Sequence, residues 1–312
     1  MRLEEIKRPV PQDHEVLVQV HASSINGGDW HLMRGTPFLI RLIFGGILKP
    51  KIKTLGADVA GRVVAVGKGV TRFKPGDDVF GDVSEDGMGA FAEYVCAAED
   101  ALVLKPTEIS FEKAATVPAA AMAALQALRD NGQIQPGQTV LINGASGGVG
   151  SFAVQIAKAL GAEVTGVCST AKMDMVRSLG ADHVIDYRQT EITQAEQQYD
   201  LILDAAAYRS FFAFLPIIKP GGTYVVIGGA TAPFFQAMLL GPWVAKFRNR
   251  QIKGLAMNVN HDDLVAVKEL MVAGKISPFI DRSYPLQEVP NAIRRMESRQ
   301  VQGKIAISVA SD

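Results

Sequence analysis

The sequence has no excess of charge of either sign: 32 Lys and Arg stand against 32 Asp and Glu in 312 residues. No whole-chain field therefore draws in nucleic acid or an anionic membrane by counterion release, and a small-molecule partner is expected instead. Cysteine is nearly missing. Cys96 and Cys168 are the only two, too few and too far apart for a disulfide framework, which points to a reducing compartment and most simply to the cytoplasm. The opening residues MRLEEIKRPVPQ lack the basic, apolar and small-residue zones of a secretion signal. Repeats and low-complexity tracts are absent.

Long apolar runs are scarce too, with one exception. Val225 to Ala245 crosses 21 residues without a charge, long enough in principle to span a bilayer. It also holds Pro233, Pro242 and three glycines, and it follows Lys219-Pro220-Gly221-Gly222 as a buried strand follows a turn. The expectation is a strand and then an apolar loop or helix, without stable membrane insertion, forming an apolar wall near a pocket.

What is present is an ordinary globular composition, 48% hydrophobic and 21% charged, over a length that suits two domains of about 150 residues each. Two textures alternate. From Glu15 to Lys105, short β-branched runs (VLVQVHA, VAGRVVAVG, FAEYVCA, ALVLKP) are punctuated by turns such as Lys74-Pro75-Gly76-Asp77, which predicts a small β-rich barrel or sandwich. From Pro118, strands are separated by helix-length segments: TVLINGA, SFAVQIAKALG, EVTGVC, KMDMVRSLG, HVIDY, a polar helix, YDLILDA and TYVVIGG. That is the pattern of a doubly wound parallel sheet. The tail, with helical DLVAVKELMVAG and VPNAIRRMES and strand-like FIDRSYPL and KIAISV, returns to complete the first domain. The expected boundaries are 1–117 with 262–312 for the β-rich domain and 118–261 for the inserted one.

The most informative residues are NGASGGVG, Asn143 to Gly150, after the strand TVLI and before the helix SFAVQIAKALG. Gly144, Gly147 and Gly150, with Gly148 beside them, let a backbone approach a pyrophosphate whose charge lies on the helix N-terminus. The bland alternative is a tight strand-to-helix turn with no ligand. A P-loop is excluded because no Gly-Lys-Ser/Thr follows. The second strand bears on which nucleotide. An NAD site usually carries an acid about 20 residues after the glycines, on the ribose 2′-hydroxyl, whereas a 2′-phosphate calls for neutral donors and a cation. Here the position reads Val167-Cys168-Ser169-Thr170-Ala171-Lys172, with no carboxylate before Asp174. Ser169, Thr170 and Lys172 favour NADPH over NADH; Ser169 could instead simply cap the following helix, a role compatible with phosphate binding.

GADVAGRVVAVGKGVTRFKPGDDVFG, NGASGGVG, CSTAKMDMVRSLGADHVIDY and GGTYVVIGG, in this order, resemble the quinone oxidoreductase branch of the medium-chain dehydrogenase/reductase superfamily. The resemblance covers nearly the whole chain. It implies an α/β protein with a GroES-like β-rich catalytic domain and a Rossmann domain, NADPH as cofactor, and a homodimer. By position it puts Ser146, Gly147, Gly148 and Val149 on the pyrophosphate and Ser169, Thr170 and Lys172 on the 2′-phosphate. Tyr187 falls beside the adenine end, Gly228 and Gly229 along the nicotinamide, and Asn26 where the active-site cleft begins, as the candidate catalytic residue. Tyr187 could also be a half-buried aromatic at a strand end, and Gly228-Gly229 an ordinary turn. The resemblance also implies a further strand ahead of Met1. Two other departures are Ala123, where the family has a threonine, and the long apolar loop over 37–53.

Zinc alcohol dehydrogenases of the same superfamily need about three protein donors for the catalytic metal. Asn26 stands where they have cysteine, and Gly56-Ala57-Asp58 where they have Gly-His-Glu. His31 and Asp29 read as polar loop residues rather than ligands, Asp58 as a turn residue and Asp29 as a cap or loop anchor. With no Lewis acid, the substrate must already be electrophilic, so hydride addition to a quinone or enone is the expected reaction, in an apolar cleft built from 37–47 and Pro233 to Trp243. Two rivals stay open: an alkenal or enone double-bond reductase for lipid-derived aldehydes, and a protein that binds NADPH without turnover, as a sensor or crystallin-like component.

Overall fold

The computed structural model describes residues 1–35, 52–194 and 196–309; most of the apolar loop expected over 37–53 lies outside them. In chain order the first elements are β1 (Glu15–Ser24), α1 (Gly27–Arg34), β2 (Asp58–Val66), β3 (Asp78–Asp82), β4 (Tyr94–Ala98), β5 (Leu102–Leu104), α2 (Phe111–Ala115) and α3 (Pro118–Gln126). Then come β6 (Thr139–Asn143), α4 (Gly148–Ala159), β7 (Glu163–Cys168), α5 (Met173–Ser178), β8 (His183–Asp186), β9 (Tyr199–Asp204), β10 (Ile218–Val226), α6 (Thr231–Arg248) and β11 (Gln251–Gly254). The chain closes with α7 (His261–Val272), β12 (Ile280–Pro285), α8 (Val289–Glu297) and β13 (Lys304–Ser308).

The chain divides into two compact units, Met1–Met122 with Val259–Val272 and Pro278–Asp312, and Ala123–Asn258 with Ala273–Ser277. The first crossing falls inside α3. Residues 118–122 keep company with the first unit because the N–H of Ala119 donates to a carboxylate oxygen of Asp58 at 2.9 Å.

The first unit is built on a seven-stranded sheet ordered β12-β13-β1-β2-β3-β5, with β4 also on β1. The first half of β1, Glu15 to Gln19, pairs antiparallel with β4, and its last residues, Ala22 to Ser24, with β13. Alternation drives this: Val16, Val18 and Val20 turn to one side and join Val59, Val63, Val79 and Leu102 in one core. The second unit is a six-stranded parallel sheet ordered β11-β10-β9-β6-β7-β8. Its central strands are apolar on both faces, as a sheet covered by helices on both sides requires: Val140, Leu141 and Ile142 of β6 are fully buried. Each such side chain contributes roughly 1.5–3 kcal/mol.

The polar helix expected between HVIDY and YDLILDA is not formed; among the described residues only a 3₁₀ turn, Ile192–Gln194, is helical there. Asp186 takes the segment over. Its carboxylate accepts from the N–H of Arg188 at 2.9 Å, while the Glu191 carboxylate accepts from the N–H of Thr193 at 3.4 Å and from its hydroxyl at 2.8 Å. Such local bonds compete directly with the helical ladder.

Candidate functional site

In the parallel sheet the chain runs outward through β6, β7 and β8, then returns to the other side of β6 to lay down β9, β10 and β11. The winding reverses between β6 and β9, and the carboxyl ends of strands at such a switch point are where this architecture takes its ligands. The glycine turn leaves β6 at that place. Gly144 N–H and Ala145 N–H donate to the carbonyl of Val167 in β7, at 3.1 and 3.0 Å, and Gly147 N–H returns to Gly144 O at 3.0 Å. Helix α4 begins at Gly148 with Gly147 as its N-cap. The N–H groups of Gly148, Val149 and Gly150 therefore have no carbonyl one turn behind them and present the positive end of the helix dipole. Ser146 is buried and Val149 half-buried beside them. Gly150 is fixed by packing: a Cβ there would stand 2.1 Å from Gly144 O.

The next strand, β7, delivers Ser169 as a buried residue and Thr170 as an exposed one, with Lys172 half-buried in the 3₁₀ turn Thr170–Lys172. Asp186, at the end of β8 and opposite Cys168 in the register, accepts the hydroxyl hydrogen of Thr170. That bond, with the N–H of Arg188, holds the Asp186 carboxyl below the usual range. Thr170 is therefore not the ready donor that its place after β7 suggests; its single hydroxyl hydrogen is already committed to Asp186. Tyr187 follows Asp186 and is exposed rather than half-buried. Cys168 is buried and Cys96 partly so; neither is in a disulfide, and burial pushes both thiols up to about 11.

On the other side of the glycine turn, three strands are tied at their carboxyl ends by a residue not singled out from the sequence. Asp204, fully buried at the end of β9, accepts from the Asn143 amide at 2.8 Å, the Tyr224 hydroxyl at 2.6 Å and the N–H of Ala206 at 3.1 Å. Burial raises the carboxyl, and burial beside that carboxylate raises the Tyr224 phenol. The visible signal was a polar residue closing or interrupting an apolar strand: TVLIN, YDLILD, TYVV. Gly228 and Gly229 leave β10 against the same neighbourhood. Gly229 has φ +120, and a Cβ there would meet Ala207 N at 2.4 Å, so only glycine fits.

Asn26 lies in the first unit, between β1 and α1, half-buried and acting as the N-cap of α1. Its Nδ2 donates to Asp58 Oδ2 at 2.8 Å, and its Oδ1 accepts from Lys304 Nζ at 2.5 Å. Asp58 is not a turn residue. It begins β2, is fully buried, and its carboxylate also receives the Ser24 hydroxyl at 2.6 Å, the Ala119 N–H at 2.9 Å and the Lys304 ammonium at 3.3 Å. Lys304, a lone cation opening the apolar strand β13, was missed from the sequence. Asp29 is the cap and anchor expected: its two oxygens accept from the N–H groups of Asn26 at 2.9 Å and Gly56 at 3.0 Å.

Burial pushes the Asp29 carboxyl up to about 7, against the pull of those two N–H groups, and pushes Asp82 up to about 6, with the Asp58 charge adding to it. A raised carboxyl means that the native state keeps a proton the unfolded chain has already lost. Stability should therefore fall as pH rises from about 4 to about 7. Urea midpoints across that range are expected to decline in the wild type and to decline less in Asp29→Asn; parallel curves would contradict the assignment.

The family model described as alcohol dehydrogenase GroES-like domain matches residues 12–107, and the one described as zinc-binding dehydrogenase matches 179–307. A spinach protein named quinone-oxidoreductase homolog, chloroplastic, is 32% identical over 97% of this chain and 92% of its own. The chain belongs to the zinc-free quinone oxidoreductase branch of the medium-chain dehydrogenase/reductase superfamily. An Arabidopsis thaliana relative named NADPH-dependent alkenal/one oxidoreductase, chloroplastic, is 31% identical over 96% of this chain and 73% of its own. Among solved structures, the quinone oxidoreductase from Coxiella burnetii superposes with a TM-score of 0.87 at 28% identity, covering 98% of this chain and 93% of that one.

One of the two matching families is described as zinc-binding, and the residues of this branch member do not fit the metal. Where zinc would take a thiolate there is the Asn26 amide. The remaining carboxylate, Asp58, already receives Ser24, Asn26, Ala119 and an ammonium. Lys304 supplies at that spot the positive charge that a carboxylate needs, without open coordination positions.

Proposed function

We propose that the protein is an NADPH-dependent oxidoreductase that transfers hydride to a quinone or another α,β-unsaturated carbonyl compound. The observation that carries the reading is the glycine turn at the switch point, with an acid-free Ser169–Lys172 segment at the end of the neighbouring strand. The turn's N–H groups and the helix dipole suit a pyrophosphate. Ser169 and Lys172 suit a 2′-phosphate as hydroxyl donor and cation, with Thr170 positioned through Asp186. Gly229, where no side chain fits, leaves the backbone after β10 bare for a flat ring, and Tyr187, exposed beside Asp186, suits an adenine. Bound there, NADPH supplies the hydride, and the acceptor supplies an electron-poor carbon. Asn26 keeps one amide hydrogen beyond the one given to Asp58, enough to hold one carbonyl oxygen.

The test is calorimetry with NADPH and NADH, followed by NADPH absorbance decay with phenanthrenequinone and with an alkenal. Wild type is expected to prefer NADPH and to turn over. Lys172→Glu is expected to weaken NADPH by roughly ten- to hundredfold, the worth of one charge-assisted hydrogen bond, and to leave NADH nearly unchanged. Equal NADPH affinity in that variant would refute the phosphate assignment. The Arabidopsis relative's name favours a second reading, an alkenal or enone reductase; a higher kcat/KM for the alkenal than for the quinone selects it. Tight NADPH binding with no acceptor turned over would select a binding protein.

A further inference from the structure

Lys304 and Asp58 form a buried ion pair in the first unit, and the hydrogens of its ammonium can all be accounted for. There are three, and each has an acceptor: Asn26 Oδ1 at 2.5 Å, Asp58 Oδ2 at 3.3 Å and the carbonyl of Ile25 at 3.4 Å. Lys304 is 3% exposed and Asp58 0%, so neither side chain reaches a bound molecule. A buried ion pair adds little to stability over apolar side chains of the same volume. Its presence among apolar strands calls for another role.

Ser24, Asp58 and Lys304 are buried, whereas Asn26, joined to the same pair, is only half-buried. The effect of the pair therefore leaves the interior through the Asn26 amide. The backbone of Asn26 is held by Asp29, which accepts its N–H at 2.9 Å. The side chain is held at both ends, Oδ1 by the ammonium at 2.5 Å and Nδ2 by Asp58 Oδ2 at 2.8 Å. Turned over, the amide would set its N–H groups against the ammonium and its oxygen against the carboxylate. Two charge-assisted hydrogen bonds would become two repulsions. One orientation is thus enforced, and it leaves one N–H of Nδ2 as the spare donor. The ammonium on Oδ1 also draws electron density away from that N–H, as successive bonds in a chain do.

We propose that Asp58 and Lys304 are positioning residues for the reduction: they clamp the Asn26 amide in the one orientation that offers an N–H to the acceptor's carbonyl oxygen. This rests on the reading that Asn26 meets that oxygen. When the hydride of NADPH adds to the far carbon of an enone, leaving NADP+, the C=C pair shifts towards the carbonyl and the C=O pair collects on its oxygen. A proton from water then completes the saturated ketone. A donor fixed before the negative charge develops needs no reorganisation when it appears. An amide free to turn would spend part of its time with a lone pair towards the same oxygen. The clamp matters most in the transition state, so it governs kcat rather than KM.

Wild type, Asn26→Ala, the paired variant Lys304→Met/Asp58→Asn and the triple variant are compared in steady-state reduction of an enone, with NADPH affinity by calorimetry and the fold by thermal unfolding. Asn26→Ala is expected to lose about a hundredfold in kcat, the worth of one oxyanion donor, with NADPH affinity unchanged. The paired variant should lose about tenfold in kcat with KM near wild type, and nothing further in the Asn26→Ala background. Ser24→Ala removes a hydrogen bond to Asp58 Oδ2 that does not involve Asn26; it should lower the melting temperature and leave kcat unchanged. In 15N-labelled protein without nucleotide, the Asn26 side-chain amide is recognised by its absence from Asn26→Ala. One of its protons should lie far downfield, where it meets the Asp58 carboxylate, and lose that shift in the paired variant. Undiminished kcat in the paired variant, additive losses in the triple variant, or an equal fall in kcat in Ser24→Ala overturns the proposal. So do ordinary, equal shifts for the two amide protons in wild type, a result that does not depend on the paired variant folding. Wild-type kcat in Asn26→Ala removes the Asn26 reading and the clamp with it, while a wild type that binds no NADPH overturns the oxidoreductase reading and this proposal together.

Discussion

Gly150→Ala is expected to abolish measurable nucleotide binding, raising Kd at least about a hundredfold. The added methyl would lie 2.1 Å from Gly144 O, 2.8 Å from Gly144 C and 2.9 Å from Ala145 Cα. All three are backbone atoms, so no side chain can rotate out of the way; either the turn or the first turn of α4 must move. A displacement of about 1 Å at groups that must meet a ligand together is enough for a loss of that order, and the overpacking itself costs roughly 1–3 kcal/mol. Titration calorimetry with NADPH, together with circular dichroism to follow the fold, reads both effects. Undiminished affinity would mean that the turn holds no nucleotide.

Lys304→Met is expected to destabilise the first unit by about 3–5 kcal/mol, because it leaves the Asp58 carboxylate buried without its cation. Asp29, Asp58 and Asp82 are all buried in that unit, and Lys304 is the one cation among the buried polar residues described. Removing the charge of both partners is milder than removing one. Lys304→Met/Asp58→Asn should therefore recover part of the loss, since an uncharged amide at position 58 can still serve some of the hydrogen bonds now made to the carboxylate. Chemical unfolding of the two variants beside wild type measures this. A loss below about 1 kcal/mol in the single variant would show that the ammonium is not needed to keep Asp58 buried.

The two predictions differ in how far the sequence anticipates them. NGASGGVG between an apolar strand and an amphipathic helix is a local pattern, because the turn, the helix start and the missing side chains are all set by neighbours in the chain. The acid-free Ser169–Lys172 stretch is local in the same sense, being the first residues after the next strand. The Asn26–Asp58–Lys304 cluster is not. Its members come from the turn between β1 and α1, from β2 and from β13, with Asn26 and Lys304 278 positions apart, and nothing in the spacing of KIAISV says where its lysine points. The commitment of Thr170 to Asp186 has the same origin: parallel register sets Cys168 beside Asp186, and register belongs to the sheet. The polar segment after Asp186 failed as a helix because Asp186 was already bonding the backbone that a helix would have used.

Hydrophobic periodicity, turn residues and the glycine spacing by themselves determined the two classes of domain, the order of most strands and helices, and the place of the glycine turn. Those features depend on interactions within a few residues. Tertiary structure decided which polar groups are buried together, which of them holds a proton near neutral pH, and which way round the Asn26 amide is held. Desolvation and pairing act between residues that only the fold brings within a hydrogen bond of one another.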